Sequence, residues 1–152
     1  MLAAQQQQFD LTNLQGSRIK LRPLDRSDLP LTLEWRNQEH VRSKFVSTAI
    51  IEPANHEQWF EGYLNRDDDL LFVLETLSPS VRSIGQVGLY SIDHDTRSCE
   101  IGRVIIGERD NERQGYASEA YAILIAFARE QLHLGEIRAV VREDHVASKP
   151  MR

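Results

Sequence analysis

The sequence predicts a single α/β domain, and three patterns indicate this fold class. Apolar runs of strand length occur at Leu70–Leu77, Ser83–Ile92 and Ser98–Ile106. The polar segment Asp93–Thr96 lies between the last two runs and is typical of a hairpin turn. A long amphipathic helix is predicted directly after Gly115, because apolar residues recur there at helical spacing. A chain of 152 residues has the expected size for one such domain.

The N-terminal part of the chain predicts a leader, one strand and two helices. Residues 1–16 contain four consecutive glutamines and no apolar periodicity, which indicates a disordered leader before a domain at 17–152. Arg18–Arg22 alternates charged and apolar residues, as a short strand does. A helix is predicted over Ser27–Asn37, with the serine as its cap, and a second helix over Asn55–Leu64.

The C-terminal part predicts a turn, the long helix and a last strand. Asp67–Asp69 is interpreted as a turn, because three adjacent acidic residues precede the apolar run of a buried strand. The helix after Gly115 is predicted to run to about Leu132. Ile137–Val141 is then expected to add a further strand.

Composition excludes several classes of function. The net charge is −5 and no cluster of Lys and Arg occurs, so nucleic acid is not an expected partner. Cys99 is the single cysteine, so an internal disulfide is excluded and a reducing compartment is indicated. No apolar run has the length of a membrane span and no signal-peptide pattern is seen, which together predict a cytoplasmic protein with no membrane contact.

The segment around Gly115 has the pattern of a phosphate-binding site. The apolar strand Ile101–Ile106 is followed by a polar loop, and the loop by Gly115, Tyr116 and Ala117 at the start of the long helix. The first backbone N–H groups of a helix have no partner within the helix, and the helix dipole favours an anion there. The sequence therefore predicts a phosphorylated ligand at this position, although a glycine before a helix is more often a simple turn.

Four segments together resemble the GNAT superfamily of N-acetyltransferases. They are Arg18–Leu24, the Glu34–Asn37 to His56–Phe60 region, Cys99–Gly102 and Arg113–Ala120. The similarity is to the branch with ribosomal-protein N-terminal acetyltransferases and enzymes that acetylate nucleotide-linked amino sugars. It implies a mixed, mainly antiparallel sheet flanked by helices. It also implies that the C-terminal helix and strands of the family are truncated here, because the chain ends soon after Ser148.

The resemblance also assigns residues to an acetyl-CoA-dependent reaction. It implies that Glu100 removes the proton of the amine and that Ser148 protonates or hydrogen-bonds the leaving thiolate. The residues expected to bind acetyl-CoA are Val104, Ile105, Ile106, Arg113, Gln114, Gly115, Tyr116, Ala117, Ser118 and His145. The residues expected to bind the amine acceptor are Arg36, Asn37, Arg42 and His56.

Two residues depart from the family pattern. Glu112 stands where the loop of the superfamily has Arg or Gln, and His145 stands where the family has Asn. Because of these departures, two alternative functions remain. One is a catalytically inactive CoA-binding module, and the other is an oligomerising module whose open sheet edge is the functional surface. No metal is expected, because a hairpin turn explains His94 and its two flanking aspartates better than a metal site does.

The favoured prediction is that the protein is an N-acetyltransferase that acts on a primary amine. An amino-sugar nucleotide is the favoured acceptor, and a protein N-terminus is the alternative. A missing part of the sheet would expose a strand edge, so a homodimer is also predicted.

Overall fold

A five-stranded sheet forms the centre of the domain, in a computed structural model that describes residues 14–42, 49–107 and 114–139. The strands are β1 (Ile19–Pro23), β2 (Leu70–Thr76), β3 (Ser83–Asp93), β4 (Ser98–Ile106) and β5 (Glu136–Ala139), and they lie in the sheet in chain order. Neighbouring strands are antiparallel from β1 to β4, whereas β5 runs parallel to β4. The mainly antiparallel sheet flanked by helices is therefore confirmed.

One long helix covers one face of this sheet. The helices are α1 (Leu29–Asn37), α2 (Glu39–Arg42), α3 (Pro53–Leu64) and α4 (Tyr116–Glu130). The buried side of α4 carries Ala120, Leu124 and Phe127, at the helical spacing that the sequence predicts. The ring of Phe127 meets the ring of Phe72 edge-on, with the centroids 6.1 Å apart. Each large apolar side chain buried here stabilises the fold by roughly 1.5–3 kcal/mol.

The helices α1 and α3 lie on the opposite face. Tyr63 of α3 is buried, and its hydroxyl oxygen accepts a hydrogen bond of 2.7 Å from the backbone N–H of Leu71, which attaches α3 to β2. Trp35 of α1 packs against Val41 and Ile105 in a second, smaller core. Gly107 lies directly under the Trp35 indole, where any Cβ atom would collide with the ring.

The start of α1 differs from the prediction. Asp25, and not Ser27, is the capping residue: its carboxylate accepts a hydrogen bond of 3.0 Å from the backbone N–H of Ser27. The carboxylate of Asp28 returns the contact by accepting from the Asp25 N–H at 2.8 Å. This reciprocal cap starts a 3-10 turn at Arg26–Asp28, and the α-helix follows from Leu29. An aspartate two residues earlier thus replaces the predicted serine, because it can reach the first free N–H groups.

The described part of the domain begins earlier than the predicted boundary at residue 17. Leu14 is buried in the main core, and its carbonyl accepts a hydrogen bond of 2.7 Å from the N–H of Leu21. Gln15 forms an isolated bridge with Lys20. Thus the last residues of the expected leader, 14–16, pack on the domain, and residues 1–13 lie outside the described ones.

The remaining elements follow the sequence closely. β5 ends at Ala139 within the described residues, and the last residues of the predicted strand, Val140 and Val141, lie outside them. The short helix α2 was not predicted. Within the part of the chain that the structure describes, no helix has both the length and the apolar character needed to cross a membrane.

Candidate functional site

A cleft of about 890 Å³ opens between the helices α1 and α3 and the sheet. Its walls carry Thr32 and Arg36 from α1 and His56 and Tyr63 from α3. The sheet supplies the floor. The remaining lining residues are Leu24, Ile51, Asn55, Gln58, Trp59, Gly62, Arg66, Asp69, Leu71, Gln86, Arg103 and Ile105. Such a volume fits a small organic substrate, and the mixture of apolar wall and a few charged groups is typical of a ligand site.

Strand β4 is bulged where it forms the floor of the cleft. Gly102 pairs with Gly88 and Ile105 pairs with Gln86, so two residues of β4 stand opposite Val87 alone. Arg103, at the bulge, has a φ of 55°, which a residue with a side chain seldom adopts. Gly85 is required on the neighbouring strand, because a Cβ atom there would collide with the carbonyl oxygen of Ile105.

The bulge also marks the point at which the pairing with β5 ends. In the described part of the chain, β5 pairs only with the first four residues of β4, Ser98–Ile101. The rest of β4 therefore has one strand neighbour, β3, among the described residues. Backbone N–H groups in a bulged and half-paired segment are available to a ligand.

The first turn of α4 presents further free donors. Gly115 adopts a φ of 82° immediately before the helix, and the first backbone bond within α4 runs from the Glu119 N–H to the Gly115 carbonyl. The three N–H groups that precede this bond, from Tyr116 to Ser118, have no acceptor within the helix. The adjacent residues Gln114 and Gly115 are exposed, so an anion can reach these donors.

Arg18 holds this loop in place from the start of β1. Its guanidinium donates 2.8 Å hydrogen bonds to the carboxylate of Glu119 and to the carbonyl of Gln114, and it lies 4.5 Å from the centre of the Tyr116 ring. The backbone N–H of Arg18 also donates to Glu119 at 2.8 Å. These contacts attach the first turn of α4 and the residue before it to the edge of the sheet.

A comparison with known protein families identifies the family of this chain. The model described as the acetyltransferase (GNAT) domain matches residues 18–150. The chain belongs to the GNAT acetyltransferase family. Enzymes of this family use acetyl-CoA as the acetyl donor. The predicted place of its pyrophosphate, at Gly115 and the first turn of α4, stays a prediction.

Relatives of this GNAT domain are distant in sequence. An N-acetyltransferase 9-like protein of Dictyostelium discoideum is 24% identical over 132 residues, which are 77% of this chain and 62% of that protein. A solved domain from Methanocaldococcus jannaschii is 17% identical, with a TM-score of 0.77 over 90% of this chain and 85% of that one. A spermidine N-acetyltransferase from Vibrio cholerae, solved with CoA and spermine, is 21% identical, with a TM-score of 0.77 over 90% and 78%.

These likenesses establish the fold and the family, and the branch of the family stays a prediction. The spermidine enzymes among the solved neighbours do not confirm the ribosomal or amino-sugar branch that the sequence predicts. At this level of identity, a common fold carries no information on the acceptor.

The structure brings most of the predicted co-substrate residues to two places. Ile105 lines the cleft, and Val104 and Ile106 pack against the main core beside it. Gln114, Gly115, Tyr116, Ala117 and Ser118 form the loop and first turn of α4. Arg113, His145 and Ser148 lie outside the described residues, so their predicted roles stay predictions.

The four predicted acceptor residues divide into two pairs. Arg36 and His56 line the cleft, and their binding of the acceptor stays a prediction. Asn37 and Arg42 support its rim instead. The side chain of Asn37 donates to the Ile51 carbonyl at 2.8 Å and accepts from the Ile51 N–H at 2.7 Å, and Arg42 donates to the Asn37 carbonyl at 2.9 Å. Because these groups are engaged with backbone, we interpret Asn37 and Arg42 as organisers of the segment around Ile51.

His56 is held as a neutral ring on the wall of the cleft. Burial lowers its pKa, so the ring is uncharged at neutral pH. Its Nε2 atom lies 3.0 Å from the hydroxyl of Thr32, and its ring stacks on Trp59 with the centroids 5.4 Å apart. The contacts on both sides fix the orientation of the ring in the wall of the cleft.

Glu100 lies on the cleft face of the sheet but not in the lining of the cleft. It stands opposite Tyr90 on β3 and opposite Arg138 on β5. The Tyr90 hydroxyl leans over Gly102, which stands between Glu100 and the bulge along the strand. In the described geometry, Glu100 therefore makes no direct contact with the cleft. Its role as a base that acts through water stays a prediction.

Sequence reasoning missed one charged pair on the cleft floor. Asp69 is 3% exposed, and its Oδ2 atom accepts a 2.6 Å hydrogen bond from the guanidinium of Arg103. The guanidinium lies 4.1 Å from the centre of the Tyr90 ring. Asp69 was interpreted only as the end of an acidic turn, because three adjacent aspartates give no sign of which one is buried. Among the described residues no cluster of metal-ligating side chains is found.

Proposed function

We propose that the chain is an acetyl-CoA-dependent N-acetyltransferase that acetylates the primary amine of a small molecule. The observation that carries the proposal is the bulged strand β4, which contributes Arg103 and Ile105 to the cleft. The next described element in the sequence, α4, begins with N–H groups that have no acceptor within the helix. Acetyl-CoA supplies a thioester whose C–S bond is replaced by a C–N bond. The first turn of α4 holds the pyrophosphate, and N–H groups near the bulge donate to the thioester oxygen.

The charges of the cleft favour an acceptor that also carries an anionic group. Its described charged lining is Arg36, Arg66 and Arg103 against Asp69. Arginines thus outnumber carboxylates in the described lining by three to one, and Arg36 lies on the wall that α1 forms. A polyamine carries several positive charges and is disfavoured by this lining. We therefore propose an amino-sugar nucleotide, whose phosphates suit arginine, as the acceptor class.

Binding of CoA is the first test of this function. CoA at a hundredfold excess over Kd stabilises a folded protein by about 2.7 kcal/mol if it binds only that state, so it is expected to raise the melting temperature of the wild-type chain. Gly115→Asp is expected to abolish the shift, because it places a negative charge and a strained backbone at the pyrophosphate. Gly135→Ala is the matched control, since an added Cβ there meets its nearest atom at 3.9 Å.

Two results would contradict the proposal. A wild-type chain with no CoA shift would exclude acetyl-CoA as its co-substrate, and an unchanged shift in Gly115→Asp would place the pyrophosphate elsewhere. Transfer to UDP-glucosamine is expected to exceed transfer to spermidine in a coupled assay of free CoA. The reverse order would overturn the acceptor class while leaving the acetyltransferase function in place.

A CoA-binding module without turnover is the second candidate. Glu112 and His145, which depart from the family pattern, favour it. It predicts a normal CoA shift in the wild-type chain and no transfer to any amine. The two measurements together separate it from the enzyme.

A further inference from the structure

Asp69 is a buried carboxylate to which the proposed reaction gives no role so far. It immediately precedes β2 and lines the floor of the cleft, and its side chain is 5% exposed. Arg103 holds one of its two oxygens, Oδ2, at 2.6 Å. The other oxygen, Oδ1, is buried and has no hydrogen-bond partner among the described residues. A buried acceptor in a native fold normally has a donor, so this oxygen marks a place for one.

The position of the Asp69 carboxylate is restrained by Arg103. Arg103 leaves the strand at the β4 bulge and packs on the Tyr90 ring, which restricts where its guanidinium can hold the carboxylate. Tyr63 and Leu71, joined by their own hydrogen bond, form the neighbouring wall. A polar atom held this firmly recognises a ligand group at low entropic cost.

The chemistry of the pair suits an amine that must act as a nucleophile. An ionised carboxylate only accepts hydrogen bonds, so the group that meets Oδ1 has to be an N–H or O–H donor. Arg103 offsets the charge of Asp69, and the pair therefore stabilises an ammonium ion less than a lone carboxylate would. An amine bound here is oriented by its N–H bond without being held strongly in the protonated form, which cannot attack a thioester.

We infer that Asp69 Oδ1 accepts a hydrogen bond from the nucleophilic amine of the acceptor and so positions this nitrogen in the cleft. The inference rests on the proposed function, because it needs the acceptor in the cleft. In this inference Asp69 binds the amine nitrogen. Arg103, which extends from the bulge of β4, supports the carboxylate of Asp69.

The test compares two ligands that differ only at the atom in question. UDP-glucosamine has an amine where UDP-2-deoxyglucose has only hydrogen, and the affinity of each is measured by calorimetry on the CoA-saturated protein. The wild-type chain is expected to bind the amino form about tenfold more tightly, since the deoxy form leaves the buried Oδ1 without a donor. Asp69→Asn keeps an oxygen for Arg103 and turns an NH₂ group to the cleft, so the preference is expected to disappear.

Asp68→Asn is the matched control. Asp68 precedes Asp69 in the same acidic turn, but its side chain is 42% exposed, pairs with Arg66 and does not line the cleft. This variant loses the same charge and is expected to keep the preference for the amine. The CoA shift in melting temperature should be unchanged in both variants.

The possible outcomes separate this inference from the proposed function. Equal binding of the two ligands by the wild-type chain, or a full preference in Asp69→Asn, would overturn the role of Asp69, whatever the CoA shift shows. A missing CoA shift in the wild-type chain would instead overturn the function. If Asp69→Asn does not fold, Asp69→Glu replaces it: the carboxylate moves by one methylene, and a preference that stays complete would again contradict the inference.

Discussion

At the scale of single residues, two carboxylates on one face of the sheet have separate surroundings. Asp69 lines the cleft and is paired with Arg103, whereas Glu100 stands next to Tyr90, beside the cleft and not in it. The two roles therefore divide naturally: Asp69 orients the amine, and Glu100 takes its proton through water. This division is a prediction that one substitution tests.

Glu100→Gln is expected to lower the rate of acetyl transfer by roughly 10²–10⁴, the usual effect of losing a general base. The defect should shrink as the pH rises, because more of the acceptor is then present as free amine. Steady-state rates from pH 6 to 9 measure this, with Glu130→Gln, an exposed residue of α4, as the control. A variant that is fully active at pH 7 would show that Glu100 is only a residue of the strand.

Single residues also show where sequence reasoning reaches its limit. Arg36 and His56 were predicted to bind the acceptor because they fall in matching family segments; both line the cleft, and the binding itself stays a prediction. Asp69 was missed because its burial comes from Arg103, which is distant in sequence. Asn37 was given to the acceptor although it binds the backbone of Ile51, because the residue type does not tell which partner it takes.

At the scale of secondary structure, the loop that is predicted to bind phosphate is attached to β1. Arg18 joins Gln114 and Glu119 in one set of hydrogen bonds, so the first turn of α4 is held before any ligand arrives. A held loop binds more tightly than a loose one, because less entropy is lost on binding. We therefore predict that Arg18 is a positioning residue for acetyl-CoA.

Arg18→Ala is expected to weaken the binding of CoA by about tenfold and to leave transfer from acetyl-pantetheine unchanged, because that donor lacks the pyrophosphate. The loss of folding stability should be small, since an exposed ion pair contributes about 0–1 kcal/mol. Lys20→Ala, on the same strand, is the control and should affect neither donor. An equal loss with both donors would show that Arg18 supports the fold in general and not the loop.

The elements themselves were predictable to different degrees. Hydrophobic periodicity placed β2, β3, β4 and α4 to within about two residues, because burial on one or both faces leaves a clear pattern. The bulge in β4 left no such signal. It is set by the register against β3 and by the close approach that Gly85 allows, and the arginine at φ 55° gives no local warning.

At the scale of the whole molecule, β5 is the exposed end of the sheet as described. Glu136, Arg138 and Ala139 are exposed, and β4 is the single strand neighbour of β5 within the described residues. Such an edge is a template for pairing with a second copy. In a two-fold antiparallel pair centred on Ile137, Glu136 of each copy would stand opposite Arg138 of the other.

A homodimer through this edge is therefore expected, with a molar mass that rises toward twice that of one chain as the concentration increases in light scattering. Glu136→Arg should dissociate it, because arginines would then oppose each other. The double variant Glu136→Arg, Arg138→Glu should restore it. A monomer at every concentration would contradict the prediction, and a dimer that ignores Glu136→Arg would place the interface elsewhere.

The arrangement of the two tryptophans gives the chain an optical reporter of its own state. Trp35 is 2% exposed and wedged over Gly107, so its emission reports the solvent-shielded interior and changes only when the chain unfolds. Trp59 is 40% exposed, lines the cleft and stacks on His56 and Tyr63. A single emission spectrum thus separates occupancy of the cleft from loss of the fold, without a label and without knowledge of which acceptor is bound.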